Sequence, residues 1–229
     1  MLEVSGLRVS YGQSEVIHGV DLSVKRNETV AVMGRNGMGK TTLFKTLIGI
    51  LKGGAGSVKL DGQELVGLPS HARVAAGLAY VPQGRMIFPT LTVMENIQAG
   101  LETARTKAVP DEIFSLFPVL HEMRHRKGGN LSGGQQQQLA IARALVSDPK
   151  VLLLDEPTEG IQPSIIKEIA QTLNEIRRLR EITILVSEQV LSFTLDIADR
   201  LLVLESGRLV HEVSRAECDA DKISRYLSV

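Results

Sequence analysis

The chain predicts an α/β fold in which a mostly parallel core sheet is interrupted by an inserted helical segment. Short β-branched runs alternate with helical patterns near both ends, and about 55 residues of helical pattern separate the two halves. The 229 residues suffice for one well-buried α/β core but are short for two full domains. In a parallel sheet, ligands sit beyond the carboxyl ends of the strands, so the loops that follow strands are where chemistry belongs.

Residues 2–11, 15–24 and 28–33 are β-branched and punctuated by Gly12, Gly19 and Asn27, which reads as three strands. "TLFKTLIGIL" (42–51) repeats its apolar residues at helical spacing, and Gly53 and Gly54 are expected to stop it. Residues 56–65 read as a hairpin turning at Asp61 and Gly62, 69–76 as a short helix started by Pro69, and 78–81 as a strand. Between Thr92 and Val146 almost everything is helical by pattern. Strands at 151–155, 183–187 and 201–205 then alternate with helices at 163–179 and 189–198, before a hairpin at Ser206–Gly207. No internal repeat or linker interrupts the order. The chain reads as one domain, with a core over 1–84 and 148–229 and a helical subdomain over about 85–147.

Composition narrows the function. Lys+Arg and Asp+Glu are both 26, so there is no basic excess to neutralise nucleic-acid phosphates, and 3% aromatics without Trp offer no base-stacking platform. Cys218 is the single cysteine, which leaves no intrachain disulfide framework and no cysteine-based metal cluster. The N-terminal alternation "MLEVSGLRVSYG" predicts a strand, not a signal peptide. No run of about 18 apolar residues occurs, so a membrane role needs a partner.

"GRNGMGKTT" (34–42) follows the strand "TVAVM" and opens a helix. Gly34, Gly37 and Gly39 let backbone N–H groups turn inward around a polyphosphate, and the helix start adds roughly half a positive charge. Lys40 can reach the β- and γ-phosphates and the Thr41 hydroxyl can bind Mg²⁺. Arg35, Asn36, Met38 and Thr42 complete the candidate nucleotide-binding set. The competing reading is a tight turn with a helix cap, and a strand before the loop with a helix after it favours the phosphate loop. "VLLLDEP" (151–157) is an apolar strand ending in two acids: Asp155 is placed to hold Mg²⁺ through water and Glu156 to orient or deprotonate an attacking water. Gln83, after "LAYVP", is a neutral side chain able to touch both the cation and that water.

Residues 131–145, "LSGGQQQQLAIARAL", form a second anion-binding mouth. Ser132 is a good N-cap, and Gly133 and Gly134 leave the helix start bare of side chains. One triphosphate has little use for two such mouths in one chain. A nucleotide shared between two subunits uses both.

Together "GRNGMGKT", Gln83, "LSGGQ", "VLLLDE" and "PTEGIQP" (157–163) resemble the ATP-binding cassette ATPases, in order and approximate spacing, over essentially the whole chain. The resemblance implies a P-loop NTPase core with a mostly parallel sheet, an N-terminal antiparallel β subdomain and an inserted helical subdomain. It implies ATP hydrolysis with Mg²⁺, in a peripheral protein at the cytoplasmic face of the inner membrane. The implied partners are two membrane-spanning permease subunits, a second cassette ATPase or a second copy of this chain, and indirectly a periplasmic solute-binding protein. Tyr11 resembles the aromatic that stacks on adenine, and Ser132, Gly133, Gly134 and Gln135 the signature that contacts the γ-phosphate of the opposite subunit. Gln136 to Gln138 read as a polar face near that interface. The apolar Met86, Ile87 and Phe88 in "GRMIFPTLTV" (84–93) are expected to meet the membrane partner or to fill the subdomain's own core.

Two positions depart from the family pattern. Gln162 stands where Asp is frequent and Gln189 where His is usual, and none of the five histidines (18, 71, 121, 125, 211) falls there. Gln189 is expected to face the γ-phosphate as a hydrogen-bonding group that cannot ionise. Both departures resemble the branch that serves hydrophobic amino acid and amide importers. Within it "GRNGMGKTT", "LSGGQQQQLAIARAL" and "PTEGIQPSII" are most similar to the second ATPase subunit of urea importers. The reading that follows is import of urea or a related amide, with branched-chain amino acid import as the alternative. A cassette ATPase acting on ribosomes or DNA usually carries two cassettes, coiled coils or basic extensions. A phosphate-loop kinase leaves "LSGGQ" unexplained.

Overall fold

Alternation at the start of the chain makes a half-buried sheet. The computed structural model describes residues 1–227 apart from residues 103 and 105. β1 (Leu2–Tyr11) and β2 (Ser14–Val24) pair antiparallel, with Leu2, Val4, Leu7 and Val9 buried on one face of β1. β3 (Thr29–Met33) is buried at all five residues, as expected of a strand covered on both faces, and belongs to a different sheet. α1 (Lys40–Leu47) follows the glycine loop. It ends at Leu47, four residues earlier than its periodicity predicts, because Gly49 turns the chain at φ +84° and the buried Arg73 guanidinium donates to Thr46 O (2.8 Å) and Leu47 O (2.9 Å). The cap that stops this helix is supplied from the next one.

β4 (Ala55–Leu60) and β5 (Gln63–Glu64) complete a four-stranded antiparallel sheet in the order β2-β1-β4-β5. α2 (Ser70–Ala76) carries Arg73 and leads into β6 (Leu78–Val81). The segment from Thr92 to Val146 is less helical than its pattern. It holds α3 (Val93–Ala99), α4 (Asp111–Leu116), α5 (Pro118–Glu122) and α6 (Gly133–Leu145), with a 3₁₀ turn at Gly128–Asn130. Pro110, Pro118 and the Gly128–Gly129 pair cut the apolar periodicity into short pieces.

β7 (Val151–Asp155), α7 (Pro163–Arg180), β8 (Thr183–Glu188), α8 (Leu191–Ile197) and β9 (Arg200–Glu205) restore the strand–helix alternation. β8 runs one residue further than predicted, and α8 starts at Leu191 because Glu188 holds the N–H groups of Gln189 and Val190 outside the helix. β10 (Arg208–Ser214) turns back at Ser206–Gly207, and a final helix, α9 (Ala220–Leu227), was not legible as a separate element. The second sheet has the order β10-β9-β3-β8-β7-β6 and is parallel except for β10.

Alternate residues of β3 face opposite sides of this sheet. Val30 and Val32 pack with Phe44, Leu47 and the antiparallel sheet, whereas Ala31 and Met33 join Leu152, Ile169 and the inserted helices. The insert is thereby continuous with the sheet's core. Among the described residues no helix is long and apolar enough to cross a membrane.

The insert's two main helices meet at Gly100, where a Cβ would lie 2.1 Å from Arg143 O and 2.7 Å from Val146 Cγ2. Gly100→Ala is therefore expected to destabilise the chain by about 1–3 kcal/mol through overpacking. At roughly 2–4 °C per kcal/mol for a chain of this size, thermal melting should show a Tm lower by about 2–12 °C. An unchanged Tm would mean that this contact is soft.

Candidate active site

The site forms where β3, β8 and β7 end side by side. Their parallel register sets Met33 opposite Glu188 and Asp155 opposite Ser187, so the loops after these strands share one edge of the sheet. Gly34 leaves β3 under the backbone of β9, where a Cβ would meet Leu204 O at 2.5 Å. Met38 anchors the loop to the β9–β10 turn: its carbonyl accepts from Gly207 N–H (3.0 Å) and its Sδ from Ser206 N–H (3.3 Å). Met38 thus holds the loop in place.

Lys40, the first residue of α1, is buried with its ammonium inside the loop. It donates to Gly34 O (2.7 Å) and Arg35 O (3.0 Å), and Glu156 Oε1 lies 2.9 Å away. Glu156 Oε2 accepts from Gln83 Nε2 at 3.2 Å. Glu156 has φ +47°, a sparsely populated conformation for a residue with a side chain, and its N–H is held by Ser187 O (3.0 Å) and Ser187 Oγ (3.2 Å). Strain of this kind persists where surrounding contacts over-determine it.

Asp155 is buried and accepts from Ser187 Oγ (2.6 Å), Tyr80 OH (3.0 Å) and Thr41 Oγ1 (3.2 Å). Burial pushes its carboxyl above the ordinary range, although those three hydroxyls favour the ionised form. Burial, and then the neighbouring Asp155 charge, pushes the Tyr80 phenol upward, so Tyr80 remains a donor to Asp155.

A cavity of about 260 Å³ opens here, lined by Val16, Asn36, Gly37, Gly39, Lys40, Thr41, Thr42, Gln83 and Glu156. Tyr11 is half exposed beside it, with its hydroxyl 3.5 Å from Thr42 Oγ1. The cavity offers a helix N-terminus and an ammonium to an anion. The Thr41 hydroxyl and Asp155 carboxylate offer oxygen ligands of the kind that suit Mg²⁺ when phosphate oxygens and water complete the shell. Among the described residues no group of three or more His, Cys, Asp or Glu side chains makes an all-protein metal cage.

Ser132, Gly133, Gly134 and Gln135 stand apart from this cavity. Ser132 Oγ accepts from Gln135 N–H (3.3 Å) and Gln135 Oε1 from Ser132 N–H (2.9 Å), a capping box that starts α6. Gly134 does more than bare the helix mouth: a Cβ there would lie 2.4 Å from Ile165 Cγ2 of α7. The polar-face reading of Gln136 to Gln138 also needs correction. Gln137 is buried, on the inward stripe with Gly134 and Ile141, and Gln136 Nε2 donates to Leu131 O (3.2 Å) and Gly128 O (3.4 Å), bracing the loop before the helix.

Gln189 is exposed on the turn between β8 and α8, and Gln162 is the residue preceding α7. Val16, Tyr80, Ser187 and Glu188 were missed by sequence reasoning. Ser187 and Glu188 end an apolar run in the same way as Asp155 and Glu156, and that parallel was the available signal. Val16 and Tyr80 read as ordinary strand residues.

The sequence pattern of the ABC transporter family matches residues 17–159. The chain is 41% identical, over 94% of each chain, to the high-affinity branched-chain amino acid transport ATP-binding protein BraG of Pseudomonas aeruginosa. It is 39% identical to the probable branched-chain amino acid transport ATP-binding protein LivF of Archaeoglobus fulgidus, over 91% of this chain and 90% of that one. The lipopolysaccharide export system ATP-binding protein LptB of Haemophilus influenzae is 34% identical, over 92% and 89%. The ADP conformation of an ATP-binding cassette of an ABC transporter superposes with a TM-score of 0.82 at 26% identity, over 99% of this chain and 94% of that one. A dimeric cassette in a post-hydrolysis state with ADP and Pi shares the fold, with a TM-score of 0.84 at 24% identity over 94% and 99%. The chain belongs to the ABC transporter family, as an ATP-binding subunit that hydrolyses ATP with Mg²⁺.

Proposed function

We propose that this chain is one of two ATPase subunits of an importer for branched-chain or related hydrophobic amino acids, bound at the cytoplasmic face of the inner membrane to two permease subunits. The observation that carries the two-subunit reading is the separation of the two anion-binding mouths: Lys40 lines the nucleotide cavity, and the α6 N-terminus does not. The mouth at Ser132–Gln135 then serves the γ-phosphate of a second cassette, another copy of this chain or a sister ATPase. A solute-binding protein on the far side of the membrane delivers the solute to the permeases.

In this reading Gly34 to Thr42 bind the phosphates, Tyr11 meets the adenine, Thr41, Asp155 and Gln83 surround Mg²⁺, Glu156 is the base, and Gln189 approaches the γ-phosphate. Mg²⁺, when bound, neutralises charge on the phosphate oxygens. Moving a dimer from 1:99 to 99:1 closed takes about 5.5 kcal/mol of differential binding. Two or three charge-assisted hydrogen bonds per signature, at roughly 1.5–3 kcal/mol each, are of that size.

The loop after Gln83 supports docking to a permease. Met86 and Phe88 are 65% and 47% exposed, while Ile87 packs inward. The buried Asn96 holds both Phe88 N–H (2.8 Å) and Phe88 O (2.9 Å), and the Arg143 guanidinium lies 5.2 Å from the Phe88 ring centroid. The backbone is fixed while the apolar tips stay outside, which is what a docking loop requires.

For the solute, the residues "PTEGIQPSII" and "LSGGQQQQLAIARAL" suggested urea or a related amide. The names of BraG and LivF favour branched-chain amino acids instead. Uptake decides: cells carrying only Lys40→Ala in this chain should lose uptake of labelled leucine, isoleucine and valine while urea uptake stays unchanged. Loss of urea uptake with normal leucine uptake would restore the amide reading.

Glu156→Gln should keep nucleotide binding and lower turnover by about 10²–10⁴, the usual worth of a general base. More than half the original rate remaining in the assembled transporter would remove Glu156 from that role. Lys40→Ala should weaken nucleotide binding in the isolated chain, because its ammonium is inside the cavity. Ser132→Arg should leave that binding nearly intact and block turnover of the closed dimer. Titration of both variants with Mg-ADP checks this, and equal loss of binding would sink the two-subunit site.

A further inference from the structure

Glu188 ends β8 with a side chain only 1% exposed, bonded to two loops at once. Its Oε2 accepts from Thr158 Oγ1 (2.7 Å) and Thr158 N–H (3.3 Å), in the loop that follows Glu156. Its Oε1 accepts from the N–H groups of Gln189 (2.8 Å) and Val190 (3.2 Å), in the loop that follows β8. An ionised carboxylate has about four acceptor sites and no donor, and here four donors converge on it. Burial raises its carboxyl, against the pull of Thr158, Gln189 and Val190. A buried charge arranged in this way is expensive unless the donors it gathers need to be kept together.

We propose that Glu188 is a positioning residue for hydrolysis, one buried carboxylate that clamps the loop carrying Glu156 to the loop carrying Gln189 so that the two move as a unit. Any displacement of the Gln189 backbone is then transmitted through Glu188 to Thr158, two residues from Glu156. The loop after Glu156 also contains Glu159, whose carbonyl accepts from Arg85 (2.8 Å). The clamp therefore reaches the segment that follows Gln83. The inference rests on the roles given above to Glu156 and Gln189, but the clamp itself is measurable without them.

A glutamine of the same shape distinguishes clamping from filling space. It has one acceptor oxygen and two donors, so it cannot serve both loops. Gln189 and Val190 present backbone donors that cannot rotate, and the amide oxygen should stay with them. The Thr158 hydroxyl can turn to accept from the amide, whereas the Thr158 N–H cannot. Glu188→Gln should therefore release the Thr158 amide and leave those of Gln189 and Val190 protected.

The test uses the full chain assembled with its partner subunits, with hydrogen exchange of these three amides and steady-state hydrolysis of Mg-ATP. In Glu188→Gln the Thr158 amide should exchange about tenfold faster or more, with β7 and β8 unchanged, the size expected for one unmade buried hydrogen bond. Turnover should fall about tenfold or more while KM moves less than about threefold, because the clamp orders groups that act on the transition state. Thr158→Val should lower turnover in the same way, Thr158→Ser should restore it, and the double variant should be no slower than the slower single. Unchanged exchange at Thr158 overturns the clamp. Faster exchange with turnover within twofold overturns positioning and leaves the roles of Glu156 and Gln189 untouched. Exchange spreading along β7 and β8 together with a lower Tm makes Glu188 a structural residue only. Should Glu188→Gln fail to fold, Thr158→Val with unchanged turnover is sufficient to overturn the proposal.

Discussion

The ion pair between Lys40 and Glu156 is the contact on which the rest of the site depends. It joins the first residue of α1 to the residue after β7, at 2.9 Å, with both side chains almost fully buried. Breaking one partner of such a pair typically costs about 3–5 kcal/mol, because the other is left as an uncompensated buried charge. A phosphate entering the loop brings a charge of the same sign as Glu156 and competes for the same ammonium. Loading the loop therefore bears directly on where the carboxylate sits, and Gln83, bonded to its other oxygen, is affected with it. The strained φ of Glu156 belongs to the same arrangement: its N–H donates to Ser187 O and Oγ, which fixes the backbone while the side chain has an exchangeable partner.

The inserted helices share this site through a few cross-contacts. Arg85 reaches the carbonyl of Glu159, and the Arg143 side chain of α6 donates to Met86 O at 2.9 Å. The segment after Gln83 is thus tied both to the loop that follows Glu156 and to the helix whose capping box carries Ser132 and Gln135. Asn96 locks the same segment from below with bonds to Phe88 and to the carbonyls of Leu91 (3.3 Å) and Thr92 (2.9 Å). The segment that exposes Met86 and Phe88 is thus joined by hydrogen bonds to the loop that follows Glu156, to α3 and to α6.

Much of the site was legible because its chemistry is local in the chain. The glycine loop, Lys40 and Thr41 lie within nine residues between a strand and a helix, and Asp155–Glu156 end an unbroken apolar run. Pattern also placed the strands, apart from single-residue ends. It failed where long-range contacts override periodicity: α1 stops at Leu47 because Arg73 and Gly49 stop it, and Gln137 faces inward because α6 turns that stripe toward the core.

Local sequence carries the inventory: two glycine-rich helix starts, two acids after a buried strand, a glutamine after another, and neither net charge nor aromatics for nucleic acid. Each follows from backbone conformation and side-chain type within a few neighbouring residues. Which of these groups meet depends on the packing of the whole chain. The parallel register of β3, β8 and β7 brings Lys40, Asp155, Glu156 and Ser187 to one edge, and leaves Ser132 to Gln135 away from the cavity. The same register converts Glu188, an unremarked acid after "TILVS", into a buried acceptor for four donors from two loops. Strand order and register are set by packing over the whole core, and no short stretch of sequence carries that information.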